Sequence, residues 1–77
     1  MVKAVRGRDL RQARMDLQRE IRRDVSQAEV AGHLCLRAPD ISNLEVERYG
    51  ERIDADMARR FFLALDEIRA ESGVITG

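Results

Sequence analysis

The one proline of this 77-residue chain limits its fold more than any other residue, because it interrupts a helical pattern. Pro39 cannot lie inside a helix, where its ring clashes with the preceding turn and its missing N–H leaves a hydrogen bond unmade. It suits the first turn of a helix, where that N–H would have no partner in any case. We therefore predict a helix over residues 39–46 that begins at the proline.

The residues before the proline predict a second short helix. Ser26 followed by Glu29 has the spacing of a capping box, in which the two side chains satisfy backbone N–H groups at a helix start. The helix predicted behind this cap covers residues 27–34. A turn of about four residues then separates two short helices, which is the layout of a helix-turn-helix.

Two longer helices are predicted on either side of this segment. One covers residues 8–24, because apolar residues recur there every three or four positions, at Leu10, Ala13, Leu17, Ile21 and Val25. The other covers residues 54–72, begins with Asp54 as cap and ends at Ser72-Gly73. A broad apolar stripe on this helix is formed by Met57, Ala58, Phe61, Phe62, Leu65 and Ile68. Residues 47–50 read as a loop, and strands are not expected, so residues 1–77 are predicted to form one all-α domain.

The composition agrees with a compact helical protein and gives no sign of a membrane segment. Hydrophobic residues make up 44% of the chain and charged residues 36%. No apolar run approaches the roughly 20 residues that a membrane span requires. A lone cysteine, Cys35, excludes an internal disulfide and fits a reducing compartment, so the expected location is the cytoplasm.

Charge is unevenly distributed although the net charge is zero. Residues 1–23 carry eight Lys/Arg against three Asp/Glu, whereas residues 24–77 carry six Arg against eleven Asp/Glu. One interpretation is that the two parts are solvated faces that attract each other. The other is a basic N-terminal helix that lies close to a polyanion.

Enzymatic and metal-binding functions are not expected from these residues. His33 and Cys35 lie two apart, but the chain has no other His or Cys to complete a zinc site. Two residues within one helical turn rarely give the geometry of a nucleophile and its base. We therefore predict no catalytic residue, no metal and no cofactor.

Small and apolar residues around the break meet the packing demands of two crossing helices. Ala31 supplies the small residue at the crossing, Leu36 follows the turn, and Ile41 and Leu44 lie three apart on the second helix. Together with Ser26-Gln27, Val30, Leu34 and the run Ile41-Ser42-Asn43-Leu44-Glu45, this pattern resembles the Cro/repressor-type helix-turn-helix family. The resemblance covers residues 26–46, with a looser likeness through residue 65. It implies a lambda-repressor-like domain of four to five helices.

Three features depart from the family pattern. Cys35 and Val46-Glu47 stand where the family usually has glycine, and a cysteine in the turn reaches a left-handed backbone only at some cost. The first helix is also longer than the family's. The alignment before residue 25 is therefore open.

The resemblance implies DNA binding, with the first helix of the motif across the backbone and the second in the major groove. The residues carried over as base-reading are Arg37, Ala38, Pro39, Ser42 and Asn43. Those carried over or proposed as phosphate contacts are Gln27, Arg48, Tyr49 and Arg52. Asp40 also faces outward, where it either reads a cytosine amino group or caps its helix. Glu45 is expected to pair with an arginine of the first helix, for which Arg14 is the nearest match.

A homodimer is expected through the C-terminal helix, at Phe62, Leu65 and Ile68, with residues 74–76 as a further contributor. The leading hypothesis is a sequence-specific transcriptional regulator that binds double-stranded DNA at an inverted repeat, as a repressor or genetic switch of a phage or mobile element. The alternative is a helix-turn-helix-fold interaction protein, such as an antitoxin or antiactivator, that binds a protein partner. A positive face across Gln27, Arg37 and Arg48 would favour DNA.

Overall fold

The computed structural model describes residues 4–73, and this part of the chain folds into four α-helices and one π-helical turn. Within residues 4–73 no strand forms, and an isolated bridge joins Arg6 to Arg52. The helices are α1 (Gly7–Ile21), α2 (Gln27–His33), α3 (Ala38–Ser42) and α4 (Ala55–Glu71), and the π-turn (Asn43–Glu47) continues α3. The predicted order of helices, and the all-α class, are confirmed.

The caps predicted from the sequence form in part. Ser26 Oγ accepts the Glu29 N–H at 3.0 Å, but the Glu29 carboxylate pairs with Arg23 and does not complete the capping box. Asp54 caps α4 by accepting the N–H groups of Asp56 and Met57. After α4, Gly73 has the left-handed backbone expected of it, with φ of 72°.

The first helix ends earlier than predicted. It stops at Ile21, and Arg22 turns the chain with a left-handed φ of 57°. Val25 is fully buried, but in the connection to α2 and not on α1. The Val25 N–H donates to Gln18 Oε1 at 3.0 Å, so a side chain of α1 accepts a backbone hydrogen bond from the connection that follows the helix. The apolar spacing therefore predicted correctly that Val25 is buried, but Val25 is not part of the helical stripe, because α1 ends at Ile21.

The core is formed by one face of each long helix together with the inner residues of the short ones. Phe61 is fully buried at its centre, and the other buried apolar residues include Leu10, Leu17, Val25, Val30, Ala31, Ile41, Leu44, Ala64, Leu65 and Ile68. The prediction that Leu65 and Ile68 form a dimer interface is therefore wrong. They follow Phe61 by one and two helical turns, which puts them on the same, inward side of α4. Residues 74–76 lie outside the described residues.

The turn between α2 and α3 has the left-handed residue that the family pattern implied. Cys35 has φ of 57°, although it is not glycine. The Leu36 N–H then donates to the Ala31 carbonyl at 2.8 Å, which closes the end of α2. Leu36 packs half-buried against the core, as the sequence predicted.

The predicted helix over residues 39–46 is present, but its second half is wound differently. Pro39 lies in the first turn, as expected. After Ser42 the helix widens, and the Arg48 N–H donates to the Asn43 carbonyl at 2.9 Å, five residues back. The consecutive residues Leu44 and Glu45 of this turn are both buried.

The chain before and within the first turn of α1 packs directly onto the backbone at the end of the π-turn. The Arg8 N–H donates to the Tyr49 carbonyl at 2.8 Å, and the Ile53 N–H donates to the Val5 carbonyl at 2.8 Å. A Cβ at Gly7 would collide with the carbonyls of Leu44 and Arg48. Only glycine allows the two backbones to lie this close.

We therefore expect Gly7→Ala to lower the free energy of unfolding by roughly 1–3 kcal/mol, the usual cost of overpacking a tight contact. Gly32→Ala is the matched control, because Gly32 is exposed in α2 and nothing lies near the position of its Cβ. This control should stabilise the protein by about 0.5–1 kcal/mol through helix propensity. Urea denaturation of both variants gives the measurement, and an unchanged stability for Gly7→Ala would contradict the close contact.

Candidate nucleic-acid interface

One side of α3 faces the solvent and carries most of the residues predicted to read bases. Arg37, Pro39 and Asn43 are exposed, while Ala38 and Ser42 are half-buried. Ile41 and Leu44 point the other way, into the core. The helix therefore has the register that the sequence predicted. Pro39 lies on its outer side, Arg37 at its N-cap and Asn43 at the start of the π-turn.

Val46 extends this surface, and the sequence reading missed it. Its side chain is 59% exposed, an unusual position for a large apolar residue. It lies in the same π-turn as Asn43.

Asp40 has a structural role at the start of α3. Its carboxylate accepts the Arg37 N–H at 3.0 Å, so it caps the helix that bears it. An acidic side chain is also favourable in the first turn, where unpaired N–H groups give the helix a partial positive charge. Of the two roles considered for Asp40, base reading and helix capping, the structure shows helix capping.

A buried ion pair joins α1 to the π-turn. Glu45 is 0% exposed, and Arg14 holds its carboxylate with two nitrogens, Nε at 2.9 Å and Nη2 at 2.9 Å. The third nitrogen of the guanidinium, Nη1, donates to the Val25 carbonyl at 2.7 Å. The expected pairing of Arg14 with Glu45 is therefore confirmed. No buried side-chain polar atom among residues 4–73 lacks a hydrogen-bond partner.

Gln27 belongs to the same network. Its side-chain Nε2 donates to Glu45 Oε1 at 3.2 Å, and the residue is half-buried at the start of α2. One of the two N–H bonds of the amide is used in this way, which leaves the other as a donor. The side chain predicted to hold a phosphate is thus fixed in place by the glutamate that anchors the π-turn.

The three other predicted phosphate contacts lie together in the turn that follows. Arg48 Nη2 donates to the Arg52 carbonyl at 3.3 Å, and Arg48 Nε lies 3.8 Å from a carboxylate oxygen of Glu51. Tyr49 and Arg52 are exposed. The three side chains therefore share one surface loop.

Two further arginines join this loop from the N-terminal end of the chain. Arg6 Nη1 donates to the Gly50 carbonyl, and the backbone of Arg8 is hydrogen-bonded to Tyr49. We call Arg6, Arg8, Arg48 and Arg52 the arginine cluster. The excess of basic residues in the first 23 positions was a signal for such a surface, but sequence spacing gave no indication that residues 6 and 8 meet residues 48–52.

Acidic side chains lie among these arginines. Glu47 and Glu51 are exposed on the π-turn and the loop, and Asp40 lies at the start of α3. The surface across Gln27, Arg37 and Arg48 is therefore mixed in charge, with its basic part concentrated in the arginine cluster.

Comparison with protein-family models, with curated proteins and with solved structures finds no significant match to this chain. Residues 4–73 contain no group of three or more His, Cys, Asp or Glu side chains that could hold a metal ion. None of the described helices has the length and apolar character to cross a membrane.

His33 joins the end of α2 to α4. Its Nδ1 lies 3.0 Å from Glu67 Oε1 and its Nε2 lies 3.1 Å from Glu71 Oε1. Carboxylates only accept hydrogen bonds, so both contacts are hydrogen bonds only when the imidazole is doubly protonated. The hydrogen bond with Glu67 raises the pKa of His33 against the opposing effect of partial burial, and the charges of Glu71 and Glu67 raise it further.

This link predicts a pH dependence of stability. A pKa raised on folding contributes stability that is complete below the unfolded value of about 6.5 and is lost as the pH rises through the folded pKa. The free energy of unfolding should therefore fall across that window, and His33→Gln should remove the fall. His33 is the only histidine, so its NMR titration is unambiguous. A folded pKa at or below 6.5 would contradict the link.

Proposed function

We propose that this chain is a sequence-specific DNA-binding regulator built on a helix-turn-helix of Cro/repressor type, with α2 and α3 as the two helices of the motif. The observation that carries the proposal is the outer side of α3. Pro39 of α3 is exposed there, together with Arg37 at its N-cap and Asn43 at the start of the π-turn, while Ile41 and Leu44 on the inner side are buried in the core. The left-handed turn at Cys35 and the buried Arg14–Glu45 pair support the same assignment.

In this proposal α3 enters the major groove, which is about 12 Å wide and admits one helix. Asn43 has the donor and acceptor needed to bind adenine at two atoms, and Arg37 can bind guanine in the same way. Ser42 can donate to or accept from either. Ala38, Pro39 and Val46 offer apolar contact to a thymine methyl group.

The arginine cluster is proposed to hold the phosphate backbone beside the groove, together with Tyr49. Contacts to phosphate fix the orientation of a protein on the duplex but carry little sequence information. Gln27 adds a contact from the start of α2 through the amide N–H that Glu45 leaves free. The buried network would then connect the phosphate contact at α2 to the position of the base-reading helix.

We propose that regulation occurs by occupation of a promoter, in the cytoplasm, as a repressor or genetic switch of a phage or mobile element. One short helix reads only a few base pairs. A homodimer on an inverted repeat doubles the contacts and places the half-sites about 34 Å apart, one turn of the DNA helix.

A second candidate function is supported by a different surface. A groove of about 680 Å³ lies between the N-terminal segment and α4, lined by apolar residues that include Val5, Ile53, Ala58 and Phe62. An apolar groove of this kind suits a segment of a protein partner, as expected of an antitoxin or antiactivator. The acidic residues among the arginines also weaken the case for DNA. Selection of DNA from a random pool separates the two proposals.

Selection from a pool of duplexes with a randomised central segment is expected to enrich a repeated sequence with two-fold symmetry. The affinity for the enriched duplex should fall steeply with salt, because log Kobs decreases by about 0.9 per log unit of salt for each phosphate neutralised. Arg48→Ala combined with Arg52→Ala should make this slope shallower by about 2. Arg19→Ala, at an exposed arginine of α1 outside the cluster, is the control. No enrichment, or affinity that does not change with salt, would contradict DNA binding.

Asn43→Ala is expected to reduce the preference for the enriched duplex over a scrambled one by roughly 1–3 kcal/mol, the value of one good base contact. Binding to the scrambled duplex should remain unchanged, since phosphate contacts are intact. The melting temperature should also be retained, because Asn43 is exposed. Competition binding and thermal denaturation make the two measurements. Loss of the fold would show that Asn43 is structural.

A further inference from the structure

The outward side of α4 carries two neighbouring apolar residues that the core does not use. Phe62 is 36% exposed and Leu63 is 50% exposed. They are among the few large hydrophobic residues exposed in the described part of the chain. Phe62 was predicted from the sequence to be a dimer-interface residue, but Leu63 was not. Leu63 is adjacent in sequence to residues that face the core, but it is itself exposed.

Charged residues flank this apolar pair in an ordered way. Toward the start of the helix lie Asp56 and then Arg59, and toward its end lie Asp66 and then Arg69. The order along the helix is thus acid, base, apolar pair, acid, base. At 100° per residue all of these positions fall within an arc of roughly 140°, on the side of the helix away from Phe61.

This order is complementary to itself when the helix is reversed. If two copies of α4 pack antiparallel about a point midway between residues 62 and 63, Arg59 faces Asp66 of the second copy. Phe62 and Leu63 are 100° apart on the helix, so each Phe62 lies beside Phe62 of the second copy on one flank and each Leu63 beside Leu63 on the other. Asp56 and Arg69 lie on opposite flanks of the face and do not meet. In a parallel pair, each charged residue would instead lie opposite the same residue of the second copy, so that like charges would meet.

We propose that this face of α4, defined by Arg59, Phe62, Leu63 and Asp66, is a two-fold symmetric homodimer interface with the helices antiparallel. The apolar pair supplies the contact at the centre, and the charges fix the direction and register of the helices. A two-fold axis repeats every contact, so each ion pair forms twice.

The ion pairs within each copy are compatible with this arrangement. Arg59 lies 2.9 Å from Asp56, and Arg69 lies 2.7 Å from Asp66, each three residues apart on the same helix. Pairs of this kind on an exposed surface contribute little to stability. Arg59 can therefore turn toward the second copy, or bridge to it, at little cost to the fold, whereas Arg69 is also held by Glu20 of α1.

The dimer is expected to be weak. α4 has 17 residues, which corresponds to a length of about 25 Å. One pair of helices of this length buries less than the roughly 1,200 Å² of a standard stable interface. Dimerisation should therefore depend on concentration, in the micromolar to millimolar range. The inference deepens the proposed regulator by naming its dimer interface, but its test needs no DNA.

Two single substitutions test the register. In the proposed dimer, residue 59 of each copy faces residue 66 of the other. Arg59→Asp therefore puts two acidic side chains at each of these two contacts, and Asp66→Arg puts two basic side chains at each. Each variant alone should dimerise roughly tenfold more weakly than the original protein. A mixture of the two should dimerise as well as the original, because every contact between unlike copies is again acid to base. Phe62→Glu should abolish the dimer and should not be rescued in any mixture.

Sedimentation equilibrium of the intact chain measures these affinities, and circular dichroism checks that every variant is folded. Arg11→Asp is the control, since it makes the same change of charge at an exposed position of α1. A protein that stays monomeric at millimolar concentration would overturn the proposal. So would a dimer that Arg59→Asp leaves intact, or a mixture without rescue. If the protein dimerises as described but the selection enriches no DNA, the proposed interface is supported and the proposal of a DNA-binding regulator is contradicted.

Discussion

The ion pair of Arg14 and Glu45 is the interaction on which the arrangement of the other elements depends. It links α1 to the π-turn, while the same guanidinium holds the Val25 carbonyl in the connection to α2. Gln27 adds the first residue of α2 to the network. Three segments that are far apart in the sequence are therefore oriented by one buried carboxylate. A buried pair of this kind adds little net stability, but the loss of either partner leaves an unpaired charge and costs about 3–5 kcal/mol.

The position of the arginine cluster depends on a second constraint, the close approach of the chain at Gly7 to the π-turn. Backbone hydrogen bonds from residues 7, 8 and 53 fasten the N-terminal segment to the loop that follows α3. Side chains of the two segments then share one surface. The surface proposed to bind phosphate is thus built from residues 6–8 and 48–52, which backbone hydrogen bonds hold together.

The two proposed surfaces use different elements, so each can be altered without the other. The outer side of α3 and the arginine cluster lie around the π-turn, whereas the acid–base pattern lies on α4. Both are outer sides of helices whose inner sides fill the same core. The core residues Ile41 and Phe61 therefore fix the orientation of both surfaces.

The sequence by itself determined the elements whose signals are local. A proline, a capping serine and aspartate, and a C-terminal glycine act on the backbone within three or four residues, so the order of the helices could be predicted from Ser26, Pro39, Asp54 and Gly73. The inward register of Ile41 and Leu44 followed from their spacing, and the pairing of Arg14 with Glu45 from the resemblance. The tertiary structure alone decided where α1 ends: the chain leaves the helix at Arg22, and Val25 is buried in the connection with its carbonyl held by Arg14. It also decided that the helix after Ser42 widens, that Leu65 and Ile68 are core while Leu63 is exposed, and that Arg6 meets the loop at Gly50. The burial of Leu65 and Ile68 and the contact of Arg6 with Gly50 depend on residues distant in the chain, which spacing and propensity do not encode.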